Sequence, residues 1–181
     1  VGAAARNMLG RTPGNVVAMH PLKDGVISDH EMTVRMLQLL FRKAIRTSLL
    51  NPKPRVVICV PSGVTEVEER TVINAAMEAG ARRVYLIEEP LAAGLGANLQ
   101  IQGANGHMVV DIGGGTTDVA VLSLNGVAVS SSLKVAGNAF DVAIASYVRR
   151  KHGVVIGQGT AEEIKITIGC VYPRPEDVSR T

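Results

Sequence analysis

Asp111-Ile112-Gly113-Gly114-Gly115-Thr116-Thr117-Asp118 is the stretch on which the reading of this chain turns. His107–Ile112 reads as a strand and delivers a carboxylate, after which the chain turns through three glycines. Lacking side chains, such a turn lets backbone N–H groups approach an anion and line a concave nest. Thr116 and Thr117 add hydroxyl donors, and an aspartate at a strand end suits hydrated Mg²⁺, which takes a carboxylate plus waters. A ligand-free glycine hairpin fits the same residues, because short glycine motifs are common. No G-x-x-x-x-G-K-[ST] loop occurs, so a phosphate cradle here would be of another kind.

Outward from this loop, the pattern is mixed. Asp118–Leu124 and Val127–Leu133 read as two further strands, joined by Asn125-Gly126 as a hairpin turn. With His107–Ile112 they predict an antiparallel meander. Upstream, Ser28-Asp29-His30-Glu31 reads as a capping box opening a helix over 28–51, closed by Pro52 and Pro54. Arg55–Val60 is a β-branched run that reads as a buried strand. Thr65-Glu66-Val67-Glu68 caps a helix that ends at Gly80, and Val84–Ile87 is a short strand. Strand, helix, strand predicts a parallel crossover unit. Leu91–Ala97 is a helix of small residues, and the polar stretch 98–106 is the favoured boundary. A helix over Ala139–Lys151 is stopped by Gly153, and Thr160-Ala161-Glu162-Glu163 reads as the capping box of a last helix.

Three further segments could carry chemistry. Glu88-Glu89-Pro90 follows a strand and opens a helix, so Glu89 can act as a base or position a water; equally, it can be a helix-start acid stabilised by the dipole. Val135-Ala136-Gly137-Asn138 places a glycine between strand and helix, either an anion-facing helix terminus or a tight turn with an Asn cap. Glu162 and Lys165 share a helix face, as ligand contacts or as a solvated ion pair.

Composition excludes several classes. Apolar residues are 46% of the 181, enough for a core and against disorder. Aromatics are 3%, Trp is absent and the net charge is only +3, which leaves no stacking platform or basic track for nucleic acid. Cys59 and Cys170 stand far apart and predict reduced thiols in a cytosolic protein rather than a disulfide or metal site. His20, His30, His107 and His152 show no ligand spacing. No apolar stretch matches a bilayer span, no signal peptide is evident, and neither a G-x-S-x-G elbow nor a dinucleotide fingerprint occurs. The chain begins without Met, in an Ala-rich segment, and stops after a Pro-rich piece; the expectation is a fragment.

These segments together resemble the actin-like ATPase superfamily, and within it the MreB family of bacterial rod-shape-determining proteins. The resemblance is carried by Arg11–Asn15, Pro21–Ile27, Leu86–Ala93, Val109–Thr117 and Thr160–Lys165. The Asp-x-Gly-Gly-Gly-Thr loop indicates only the superfamily; the longer strings favour the MreB branch. The resemblance implies an α/β, two-lobed actin-like ATPase fold with ribonuclease H-like sheets, here incomplete. Residues 1–98 would be part of the first lobe with its connecting helix, 99–137 the core of the second lobe, and 138–181 the start of that lobe's outer subdomain. ATP and Mg²⁺ would bind between the lobes. Gly113, Gly114, Gly115, Thr116 and Thr117 would hold the phosphates, and Asp111 would engage Mg²⁺ through water. Glu89 would position the attacking water, helped by Thr116. Gly137 would contact phosphate, and Glu162 and Lys165 would lie near ribose and adenine.

The family's function is cytoskeletal. The resemblance therefore implies an ATPase whose homopolymeric filaments lie on the inner face of the cytoplasmic membrane, work with the cell-wall elongation machinery, set rod cell shape, and involve no nucleic acid. Alternatives are the nucleotide-binding domain of a heat-shock-type chaperone, which shares Glu-Pro and the glycine loop, and a non-catalytic fragment that only binds partners. The chain departs from the family pattern in lacking the first phosphate hairpin and the later adenine-side glycine segment. Ala136-Gly137-Asn138 stands where Gly-Gly-Asp is usual, Gly94 and Cys170 replace commoner Ala and Ser, and Asp118 stands where Glu is frequent. A fragment of this kind is expected neither to bind ATP tightly nor to polymerise by itself.

Overall fold

The computed structural model describes residues 1–8, 14–23, 25–45, 52–172 and 179. Parts of three expected features lie outside these residues: Arg11-Thr12-Pro13, Asp24, and the end of the predicted 28–51 helix. The elements are α1 (Ala3–Met8), β1 (Leu22–Lys23), β2 (Val26–Ile27), α2 (His30–Ala44), β3 (Arg55–Val60), α3 (Glu66–Glu78), β4 (Arg83–Glu88), α4 (Glu89–Gly96), β5 (His107–Ile112), β6 (Thr117–Ser123), β7 (Gly126–Leu133), α5 (Gly137–His152) and α6 (Gln158–Ile168). The chain divides into two compact units, Val1–Asp111 with Asp118–Ser132, and Ile112–Thr117 with Leu133–Thr181.

The first unit holds a parallel crossover. β3 and β4 pair in parallel from Arg55↔Arg83 to Val60↔Glu88, so both strands end at the same edge. α3 links them and starts where the sequence says. Thr65 accepts from the Glu68 N–H, and the Glu68 carboxylate returns to the Thr65 N–H at 2.7 Å, a complete capping box. α2 starts one residue later than the Ser28 reading places it. Its cap is Asp29, which accepts from Met32 N–H at 2.9 Å, and the described helix ends at Ala44. β3 is not buried on both faces: Val57 is exposed, as is Cys59, while Val60 at the strand end is buried.

β5, β6 and β7 form a three-stranded sheet in sequence order. Connections this short can join only antiparallel neighbours, so the sheet is the expected meander. Along β6 the even positions, Asp118, Ala120 and Leu122, are buried and the odd ones less so. Ala120 and Leu122 with Ile101 make the core, flanked by Leu91, Leu99, Val109 and Val127. The β6–β7 turn differs from the Asn125-Gly126 reading. Its left-handed residues are Leu124 (φ 51°) and Asn125 (φ 61°), and Gly126 already begins β7.

α4 reaches this core through a missing side chain. A Cβ on Gly94 would collide with Leu122 Cδ1 and stand 3.7 Å from Val109 Cγ2. Gly94→Ala therefore sets a helix-propensity gain of about 1 kcal/mol against overpacking of about 1–3 kcal/mol. We expect net destabilisation of about 1 kcal/mol in urea unfolding, reversed when Leu122→Val is added. A stabilised Gly94→Ala single variant would show that the contact is not tight.

In the second unit α5 packs on α6. α5 is longer than predicted and is closed by Gly153 at φ +68°, a left-handed C-cap. α6 begins at Gln158 after Gly157, with no side-chain cap, so the Thr160 capping box does not form. Thr160 lies inside a helix that has already started.

Candidate functional site

The first unit gathers three carboxylates. Val60 and Glu88 are register partners at the closing edge of the parallel pair, so the Pro61-Ser62-Gly63 loop and Glu89 leave neighbouring strand ends. Such an edge is where ligands bind in open parallel sheets. β6 brings Asp118 to this edge. Its Oδ1 accepts from the Ser62 N–H at 3.1 Å, and the side chain is fully buried. Its Oδ2 and the Ser62 hydroxyl are buried with no hydrogen-bond partner among the described residues.

Glu89 opens α4 with Pro90 behind it, and is half-buried. Burial, and after it the negative charges of Asp118 and Asp111, push its carboxyl above the ordinary carboxylate range. A base of raised pKa takes a proton more readily near neutrality. The same shift has a stability consequence. In the pH window between the ordinary value and the raised one, the folded chain holds a proton that the unfolded chain has lost, so stability falls as pH rises through that window. Glu89→Gln is expected to raise the melting temperature at pH 7–8 by about 1–2 °C. The gain should shrink toward acid pH, where both states carry the proton. Melting curves across pH check this; a gain that grows toward acid pH would contradict it.

The second unit holds the glycine loop. Gly113 and Gly114 are exposed, Gly115 and Thr117 half-buried, and Thr116 buried at 8% exposure. The Gly113 N–H donates to Thr116 O at 2.9 Å, and Thr117 Oγ1 donates to Val135 O at 2.7 Å. The first turn of α5 then clasps the loop: the Gly137 N–H donates to Gly113 O (3.1 Å) and the Asn138 N–H to Gly114 O (2.9 Å). In a trans peptide the N–H points opposite to the preceding C=O. The Gly114 and Gly115 amides therefore turn away from α5, both to one side, and neither has a protein acceptor among the described residues. Two successive amides free to one side are the donor arrangement that an anion nest requires. Gly137 contributes by fixing it, its own N–H being spent on the loop.

α6 supplies Glu162 and Lys165, one turn apart. Lys165 Nζ lies 2.7 Å from Asp141 Oδ1 and donates to Gly137 O at 3.0 Å. Asp141 is 2% exposed, and its contact with Lys165 is a close ion pair without an aligned hydrogen bond. Thus Glu89 and Asp111 come together in one unit, and Gly113, Gly114, Gly137 and Lys165 in the other. Two residues of these clusters escaped the sequence reading. Asp118 could have been found from the period-2 row it shares with Ala120 and Leu122. Asp141 carries no such signal.

Among the described residues no group of three or more His, Cys, Asp or Glu is poised to hold a metal. Mg²⁺ does not require one, since it is commonly held by one or two carboxylates with waters and phosphates. Asp111, half-buried near the end of β5, fits that mode. No described helix is long and apolar enough to cross a membrane.

Comparison with known proteins places the fold and the family. The structure resembles MreB5 of Spiroplasma citri bound to ADP (41% identity, TM-score 0.88, covering 97% of this chain and 52% of that one). It also resembles the same protein bound to AMPPNP (42%, TM-score 0.88, 97% and 53%). MamK in a double helical filament shares 25% identity at TM-score 0.75, over 91% of this chain and 50% of that one. The fold is thus that of an actin-like protein. In sequence the chain is 55% identical to the cell shape-determining protein MreB of Escherichia coli strain K12, over 97% of this chain and 51% of that protein. The family model for MreB/Mbl protein matches residues 1–180, and the chain belongs to that family. It spans about half the length of the curated relatives it matches.

Proposed function

We propose that the protein is an actin-like cytoskeletal ATPase, whose membrane-associated filaments direct cell-wall synthesis and rod shape. The observation that carries the ATPase reading is the convergence of Glu89 and Asp111, the residue from which the glycine nest departs. Nucleotide binding is supported by the ADP and AMPPNP held by the MreB5 relative, and self-assembly by the MamK filament. Work at the inner face of the membrane with the cell-wall elongation machinery is what the family resemblance implies, and relatives named as cell shape-determining proteins are in keeping with it.

Hydrolysis of a terminal phosphoryl group needs positioning and charge neutralisation more than covalent chemistry. Gly114 and Gly115 amides would hold phosphate oxygens, with Gly113, Thr116 and Thr117 shaping the turn. Asp111 would hold Mg²⁺ through water; when bound, the ion neutralises phosphate charge. Glu89 would orient the attacking water and draw its proton, with Thr116 as a second contact. Glu162 and Lys165 complete the nucleotide-facing set. Titration of ADP and AMPPNP into the protein made from its complete gene, followed by a phosphate-release assay with ATP, tests this. Micromolar binding and turnover are expected; no binding of either nucleotide would overturn it.

A further inference from the structure

The reading above leaves Asp141 without a task, yet it is among the most buried polar groups of its unit, at 2% exposure. A buried carboxylate costs several kcal/mol unless paired, and Lys165 meets it at 2.7 Å. Held there, the ammonium reaches the Gly137 carbonyl, and the Gly137 and Asn138 amides in turn bind the Gly113 and Gly114 carbonyls. There is no slack at the joint: a Cβ on Gly137 would stand 3.3 Å from both Gly113 O and Lys165 Nζ. The orientation of two loop peptides, and so of the amides facing the anion, is therefore set by a chain of contacts that starts at Asp141.

We infer that Asp141 is a positioning residue for the phosphate nest: by holding Lys165 on the Gly137 carbonyl it fixes the glycine loop, and it governs affinity for the phosphate end of a nucleotide rather than for its base. The inference rests on the nucleotide-binding reading.

The test uses Asp141→Asn in the protein from the complete gene, with ADP and adenosine as probes. In this variant Lys165, at 26% exposure, can turn to water, so the fold is not left with a stranded charge. We expect ADP affinity to fall about tenfold, the worth of one charge-assisted contact, with adenosine affinity unchanged. Without nucleotide, hydrogen exchange at the Gly137 and Asn138 amides, which hold the loop carbonyls, should quicken. Unchanged ADP affinity, or equal loss for ADP and adenosine, overturns the inference. If the wild-type protein binds no ADP, the function proposed above fails, and the exchange measurement alone decides the clamp: unaltered exchange in Asp141→Asn refutes it. Should Asp141→Asn fail to fold, Asp141→Ser, which likewise leaves Lys165 in place, must show the same selective loss.

Discussion

Glu89→Ala in the protein from the complete gene is expected to slow ATP hydrolysis by about 100-fold or more, the usual worth of a positioned general base, while nucleotide affinity stays within a few-fold of wild type. The split between the two readouts follows from where Glu89 sits. It belongs to the carboxylate cluster at the closing edge of β3 and β4, and not to the glycine nest, whose donors are Gly114 and Gly115 amides of the other unit. A carboxylate adds nothing attractive to a polyanion, so its removal leaves binding intact or improves it. What is lost is a base made stronger by burial and by the charges of Asp118 and Asp111. Asp111→Ala supplies the contrast. Its proposed role lies with Mg²⁺ and the phosphates, so its loss should weaken Mg²⁺-dependent binding as well as turnover. Phosphate release measured beside a nucleotide titration separates the two, and an equal loss of binding and rate in Glu89→Ala would defeat the water-positioning role.

Much of this arrangement is legible in the sequence because it is written locally. The Thr65–Glu68 box acts within one turn of helix, and the glycine loop announces itself in eight consecutive residues. Local rules fail where two of them compete. Thr160-Ala161-Glu162-Glu163 has the composition of a capping box, but Gly157 already permits the helix to start, and the box is absorbed into α6. Asn125-Gly126 is a standard hairpin pair, yet the strand pairing sets the turn one residue earlier and places Leu124 at positive φ. The buried acids fail to show for another reason. Asp118 meets Ser62 across 56 residues, and Asp141 meets Lys165 on a different helix. A remote partner leaves no local mark: only the period-2 row of β6 sets Asp118 apart, and nothing does so for Asp141.

Lys165→Met should be the most destabilising single change at the site, by about 3–5 kcal/mol, because it strands the Asp141 carboxylate in the interior. The methionine replaces the stem of the lysine well enough, so the loss is electrostatic and not a cavity. For a chain of this size that corresponds to a melting temperature lower by roughly 10 °C. An exposed pair provides the scale. Arg35 and Glu31 lie 2.8 Å apart on α2, but their side chains are 67% and 75% exposed, so Arg35→Ala is expected to cost under about 0.5 kcal/mol. Similar distances thus predict very different effects, and burial decides between them. Adding Asp141→Asn to Lys165→Met should recover most of the loss, since no charge then remains unpaired. Thermal and urea unfolding of the two single variants and the double variant close the cycle. If Lys165→Met melts within about 2 °C of wild type, Asp141 has another source of compensation, and the clamp on the glycine loop does not depend on this pair.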